Sequence, residues 1–123
     1  MHYIGVDIVE ITRIKGAITR QGDKFLNRVY TGIEIKLCQQ KPSSLAARFA
    51  GKEAVIKAIG SQGGGIKLKD IEILADSSGK PSVHLYGKAR NQADSLGLSN
   101  LAISLSHSRK YAVAFVIGET QPD

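Results

Sequence analysis

The sequence predicts an α+β fold in which an antiparallel sheet packs against a long central helix and several shorter helices. Three observations predict it. Segments 3–9, 71–75, 82–86, 100–106 and 111–117 are short and rich in Ile, Val, Leu and Tyr, as strands are. Residues 42–60 instead keep a helical period, opened by Pro42 and closed by Gly60. Finally, the strand and helix segments do not alternate with the βαβ rhythm of a parallel sheet. At 123 residues the chain reads as one domain, 1–123, large enough for a real core.

Taken in order, residues 3–9 put Ile4, Val6 and Ile8 on one side of a strand and Gly5, Asp7 and Val9 on the other. Residues 10–19 follow as a helix with Ile11, Ile14 and Ile18 spaced for one buried face, ended by Gly22. Asp23 is placed to cap a second short helix through Tyr30. Thr31-Gly32-Ile33-Glu34 has the form of a capping box, which starts a third helix reaching about Gln40. The long helix then runs from Pro42. Gln62-Gly63-Gly64-Gly65 reads as a flexible connector, and Asp76 to Pro81 as the turn between two strands. Residues 87–96 form a helix closed by Gly97. Strands 100–106 and 111–117 surround a hairpin at Ser108-Arg109-Lys110, and the tail from Gly118 is polar and expected to fray.

Composition narrows the function classes. Hydrophobic content of 42% and charged content of 23% are those of a soluble globular protein. The lone Cys38 rules out an internal disulfide framework and a Cys-rich metal site, and reads as a structural thiol. No two histidines have zinc-ligand spacing. The start, residues 1–7, has no basic stretch and reaches a charge at Asp7, so neither a signal peptide nor a membrane span is expected and the cytoplasm is the default location. Seventeen Lys and Arg against 11 Asp and Glu give a net charge of +6. That balance suits an anionic partner: nucleic acid, phospholipid, a phosphorylated small molecule or an acidic protein.

Four features could carry chemistry. On a helical wheel centred on Phe49, Glu53 falls at about 40°, inside the apolar stripe that runs from Leu45 and Ile56 to Ala46 and Ala50, and Lys57 at about 80°, at its margin. A carboxylate there needs a partner, either Lys57 as an i, i+4 pair or a bound cation. Asp7 interrupts an apolar strand; it belongs to a solvated outer face or points into a site. Together Asp7 and Glu53 offer two oxygen ligands to magnesium, with phosphates and water supplying the rest. His107 shares strand parity with Ile103 and Leu105, so it is either a core histidine or, flanked by Ser106 and Ser108 at a strand end, a ligand contact. Arg13, Arg20, Lys24 and Arg28 align if one helix is drawn through them, giving a solvated face or a dock for an acidic helix, although Gly22 interrupts it. The run Gly63-Gly64-Gly65 follows a helix and lacks a following Lys-Ser/Thr, so it is not a phosphate-gripping P-loop.

Three ordered blocks resemble the holo-acyl-carrier-protein synthases, the short phosphopantetheinyl transferases. They are residues 4–14 (Ile-Gly-Val-Asp-Ile-Val-Glu-Ile-Thr-Arg-Ile), 48–60 (Arg-Phe-Ala-Gly-Lys-Glu-Ala-Val-Ile-Lys-Ala-Ile-Gly) and Leu105-Ser106-His107-Ser108. The resemblance implies a 4′-phosphopantetheinyl transferase-like fold and transfer of the 4′-phosphopantetheine arm from coenzyme A to a serine of apo acyl carrier protein, with adenosine 3′,5′-bisphosphate released. Carried over by position, it implies Asp7 and Glu53 as Mg2+ ligands and Lys57 beside the coenzyme A phosphates. It also implies Arg48 and His107 as coenzyme A contacts and Arg13, more loosely Arg20 and Lys24, on the carrier-docking surface. Glu53 and Lys57 are the implied catalytic pair, with Glu53 the first choice as acceptor of the serine proton. A homotrimer with sites between subunits is implied too.

Two departures stand out. The loop at 61–66 is looser than the compact Gly-Thr-Gly-like turn of the family, and Val9 occupies the place where longer relatives carry a third acid. The competing class is a non-catalytic nucleotide- or nucleic-acid-binding module. With no Trp, 3 Phe and 4 Tyr, mostly at positions that read as core, the chain lacks the interleaved aromatics RNA binding usually brings, and neither nucleic acid nor membrane is expected as a partner.

Overall fold

The computed structural model describes residues 1–60 and 64–120. Strand β1 (His2–Glu10) leads into helices α1 (Ile11–Gln21), α2 (Asp23–Val29) and α3 (Gly32–Cys38), then the long α4 (Pro42–Ile59). A single 3-10 turn (Leu68–Asp70) precedes the hairpin β2 (Ile71–Ala75) and β3 (Pro81–Leu85). Helix α5 (Gly87–Ser95) and strands β4 (Leu98–His107) and β5 (Tyr111–Thr120) complete the order. The strands form an antiparallel three-stranded sheet, β1-β5-β4, and a separate antiparallel pair, β2-β3.

Helix α4 is the axis of the core, and small residues explain why. Ala46, Ala50 and Ala54 are fully buried, which lets the helix approach the sheet closely. At β1 the approach is backbone to backbone. A Cβ on Gly5 would fall within the radius of the Ala54 carbonyl oxygen and 2.9 Å from the Ala58 nitrogen, so position 5 requires glycine. Gly51 makes similar room, where an added Cβ would come within 3.1 Å of Ile103 and 3.3 Å of Leu105 on β4.

This packing decides the sheet's polarity against hydrophobicity. The side of β1 facing α4 carries Gly5, Asp7 and Val9, while Ile4, Val6 and Ile8 point outward at 56%, 53% and 63% exposure. Val6 pairs with Phe115 across β5, and Phe115 is also exposed. The sheet therefore presents an apolar outer face.

Local expectations resolve one by one. Thr31 and Glu34 form the capping box, each side chain accepting from the other's backbone nitrogen. Asp23 does not cap α2: Gly22, at φ 58°, is the capping position and no side chain bonds the helix end. That break also divides the basic stripe, with Arg13 and Arg20 on α1 and Lys24 and Arg28 on α2. In the 76–80 turn, Asp76 accepts from the backbone nitrogens of Ser78 and Lys80. Strand β4 starts at Leu98 rather than 100, with an irregularity in pairing between Leu98 and Asn100. The tail from Gly118 is not frayed over its first residues, because pairing with β1 and β4 carries β5 to Thr120. The remainder of that tail, 121–123, lies outside the described residues, as do positions 61–63 of the connector. The aromatics are less uniformly core than expected: Tyr86, Tyr111 and Phe115 are exposed.

Candidate active site

Where β1 crosses α4, Asp7, Glu53 and Lys57 converge. The inward parity of β1 aims Asp7 at the helix, so it does not lie on a solvated outer face. Its Oδ1 accepts from Lys57 Nζ at 3.0 Å, and the same ammonium donates to the Val6 carbonyl at 3.0 Å. The anticipated i, i+4 pair of Glu53 with Lys57 is therefore replaced: Lys57 reaches across to the strand. The strand lies close enough for this because Gly5 brings it against the helix.

Glu53 is half-buried at the flank of the core-facing side of α4, not at its centre. Burial pushes its carboxyl pKa up, the Asp7 charge adds to that rise, and Lys57 and Arg13 oppose it. Two carboxylates and two cations thus share one electrostatic neighbourhood. Arg13 is held there by stacking, its guanidinium 5.8 Å from the centroid of Phe49, which in turn stacks on Phe25 at 6.4 Å.

The other two site residues stand apart from this cluster within the chain. Arg48 precedes Glu53 by five positions, which turns it about 140° around the helix. Its Nε donates 3.1 Å to the Ile73 carbonyl on β2. His107 ends β4 opposite Ala112, whereas Asp7 sits on β1 opposite Ala114, so a whole strand separates them. His107 is exposed, with Nδ1 3.4 Å from the Ser108 carbonyl, so the core-histidine reading is excluded. Cys38 is buried, and burial pushes its thiol pKa up, as suits a structural thiol.

One charged residue was not foreseen. Lys52 is completely buried, with its ammonium 2.8 Å from Glu34 Oε1, 3.1 Å from the Leu68 carbonyl and also bonded to the Ile71 carbonyl. Glu34 Oε2 accepts from the Ile73 nitrogen at 2.8 Å. Nearby, Glu72 accepts from Thr31 Oγ1 at 2.6 Å and from the Tyr86 hydroxyl at 3.1 Å. No local pattern foretells this burial; the capping box fixes only where Glu34 stands in the first turn of α3. Burial pushes the Lys52 pKa down, and the Glu34 carboxylate resists that shift.

Among the described residues no three His, Cys, Asp or Glu side chains gather as a metal cluster, and Asp7 and Glu53 are the two carboxylates that share this neighbourhood. Oxygen donors of like charge, set at the edge of the core, are the chemistry of a hard divalent cation. No helix among the described residues is long and apolar enough to cross a membrane.

Comparison with known proteins bears on this arrangement. Residues 3–116 match the family described as the 4′-phosphopantetheinyl transferase superfamily. A holo-[acyl-carrier-protein] synthase of Dehalococcoides mccartyi (strain CBDB1) is 51% identical over 119 residues, covering 97% of this chain and 99% of that protein. Among solved structures, the Helicobacter pylori holo-[acyl-carrier-protein] synthase in complex with coenzyme A superposes with a TM-score of 0.83 at 36% identity, covering 94% of this chain and 99% of that one. The enzyme of the same name from Neisseria meningitidis gives 0.84 at 32% identity, over 96% and 98% of the two chains.

Proposed function

We infer the activity from one premise: the chain belongs to the holo-[acyl-carrier-protein] synthase family, within the 4′-phosphopantetheinyl transferase superfamily. It transfers the 4′-phosphopantetheine group of coenzyme A to a serine hydroxyl of apo acyl carrier protein. The serine oxygen forms a bond to the phosphorus carrying the pantetheine arm. The anhydride bond breaks, and adenosine 3′,5′-bisphosphate leaves with its electron pair. Membership also sets aside the nucleic-acid-binding alternative that the net charge had raised.

The convergence of Asp7, Glu53 and Lys57 carries the assignment of the site. Such a displacement needs alignment and charge neutralisation more than a covalent intermediate, so no nucleophile of the chain's own is required. Asp7 and Glu53 are the proposed Mg2+ ligands, and their mutual repulsion is the observation that fits them to a cation. When bound, magnesium would offset the charge of the pyrophosphate and of the transition state. Lys57, already drawn toward Asp7, is placed to balance charge on the departing bisphosphate. Glu53, with its basicity raised by burial and by Asp7, is the proposed acceptor of the serine proton. Arg13, Arg20 and Lys24 are the proposed carrier-docking residues.

Arg48 and His107 are the proposed coenzyme A contacts, and their separation from the Asp7 cluster favours a site shared between subunits. The apolar outer face of Ile4, Val6, Ile8 and Phe115 offers the surface on which a homotrimer would form. The cytoplasm is the proposed compartment, in keeping with a single reduced cysteine.

Incubation with coenzyme A, magnesium chloride and apo acyl carrier protein tests the reaction. Mass spectrometry of the carrier should show addition of phosphopantetheine, abolished by EDTA; no addition across several carriers would sink the reading. For the assembly, Val6→Arg should convert a trimer to monomers by light scattering and lower transfer together with it. A parent protein that already runs as a monomer would remove the shared site.

A further inference from the structure

The edge of β2 that does not face β3 has no neighbouring strand, and three charged side chains bond it instead. Lys52 donates to the Ile71 carbonyl, Glu34 Oε2 accepts from the Ile73 nitrogen at 2.8 Å, and Arg48 Nε donates to the Ile73 carbonyl at 3.1 Å. Both backbone groups of Ile73 are therefore held. Its side chain is keyed to α4 as well, since Ile73 Cδ1 lies 2.5 Å from where a Cβ on Gly51 would fall. The three charges differ in what they have left to offer. Glu34 and Lys52 are fully buried and bonded to each other. Arg48 is half-buried, and among the described residues no carboxylate lies within 4.0 Å of its guanidinium. The Ile73 bond uses one of its five N–H donors.

We infer that Glu34 is a positioning residue for coenzyme A binding: by holding the Ile73 backbone it fixes the carbonyl that anchors Arg48. The inference rests on Arg48 as a coenzyme A contact, proposed above. The order of action runs from Glu34 to the strand edge, from that edge to the guanidinium, and from the guanidinium to an anionic group of the ligand. Glu34 itself touches no substrate atom. An unanchored arginine loses rotamer freedom when it binds an anion, and that loss weakens affinity. Arg48, already tied at Nε, has part of that freedom removed by the fold. Lys52 takes part by fixing the Glu34 carboxylate and the Ile71 end of the same edge.

Calorimetric titration of the full chain with coenzyme A and magnesium chloride, without carrier, tests this. Arg48→Ala should weaken binding about 30-fold. Glu34→Gln keeps the shape, and its oxygen stays with the Lys52 ammonium, so its NH2 meets the Ile73 N–H, donor against donor. It should weaken binding about fivefold, yet leave transfer at saturating coenzyme A within about twofold of the parent. In the Arg48→Ala background the same substitution should cost less than about 1.5-fold in affinity, while lowering the melting temperature equally in both backgrounds. A fivefold loss in both backgrounds, or in neither, would overturn the positioning role and leave the Arg48 contact standing. Parent affinity in Arg48→Ala would instead remove that contact, and the positioning role with it. A second measurement needs no variant to fold. In NMR spectra of the parent, the Arg48 Nε–H should exchange with solvent more slowly than that of the exposed Arg109, both before and after saturation with coenzyme A. Exchange as fast as Arg109 in the saturated protein would show that the anchored arginine is not the one that binds, and would overturn the inference.

Discussion

Lys52 and Lys57 lie on consecutive turns of α4, and their surroundings differ in kind. Lys52 has no exposure, and Glu34 and two backbone carbonyls surround its ammonium. Lys57 keeps 55% of its side chain exposed and leans on Asp7, itself 17% exposed. The first ion pair is closed: each member's bonds are met within the fold, and no anion could enter. The second is open on one side, and beside it Glu53 has no hydrogen-bond donor among the described residues comparable to those around Glu34. A charge closed in this way serves the architecture, whereas an open one is free to respond to a ligand.

The largest effect expected from breaking this contrast is on the closed pair. Lys52→Met leaves the Glu34 carboxylate buried without its cation and should cost about 3–5 kcal/mol in urea denaturation. Lys57→Met should cost less than about 1 kcal/mol, as exposed pairs do, while slowing transfer at least about tenfold. Equal stability losses for the two would erase the distinction. Next in size is Glu53→Gln, which should lower the transfer rate by about 100-fold, or about 2.7 kcal/mol, with the melting curve little changed. Turnover near the parent rate would remove Glu53 from the site.

The smallest effect sharpens the comparison through pH. The folded-state pKa of Glu53 lies above its ordinary value, so the folded protein holds that proton more tightly than the unfolded chain does. Its stabilising contribution is complete below the ordinary glutamate range and is lost as pH rises through the elevated folded value. In EDTA, the melting temperature of the parent relative to Glu53→Gln should therefore decline across that window. A flat difference would mean that Glu53 is neither desolvated nor set against Asp7.

Periodicity carried most of the fold, because each element announces itself locally: the capping box at Thr31, Pro42 at the start of α4 and the Asp76 turn are all local signals. What periodicity could not give was direction. Ile4, Val6 and Ile8 have the pattern of a core face, and only the contact between Gly5 and Ala54 reveals that the sheet turns the other side inward. The site was partly legible for the same reason. Asp7 and Glu53 were conspicuous as charges in apolar settings, and their ordered motifs tied them together. The pairing of Lys57 with Asp7, fifty residues apart, has no local trace. Nor does Lys52, whose partner Glu34 sits on a different helix and whose neighbours on α4 gave no cue to burial.

The bare contact of Gly5 with α4 has a consequence for how this protein can vary. Side-chain packing is adjustable, since a larger residue here can be matched by a smaller one there and rotamers absorb the remainder. A seam between two main chains has no such slack. The gauge between the strand bearing Asp7 and the helix bearing Glu53 is consequently fixed by peptide groups alone. The surrounding core can drift in sequence, and the spacing of the two acids will not drift with it.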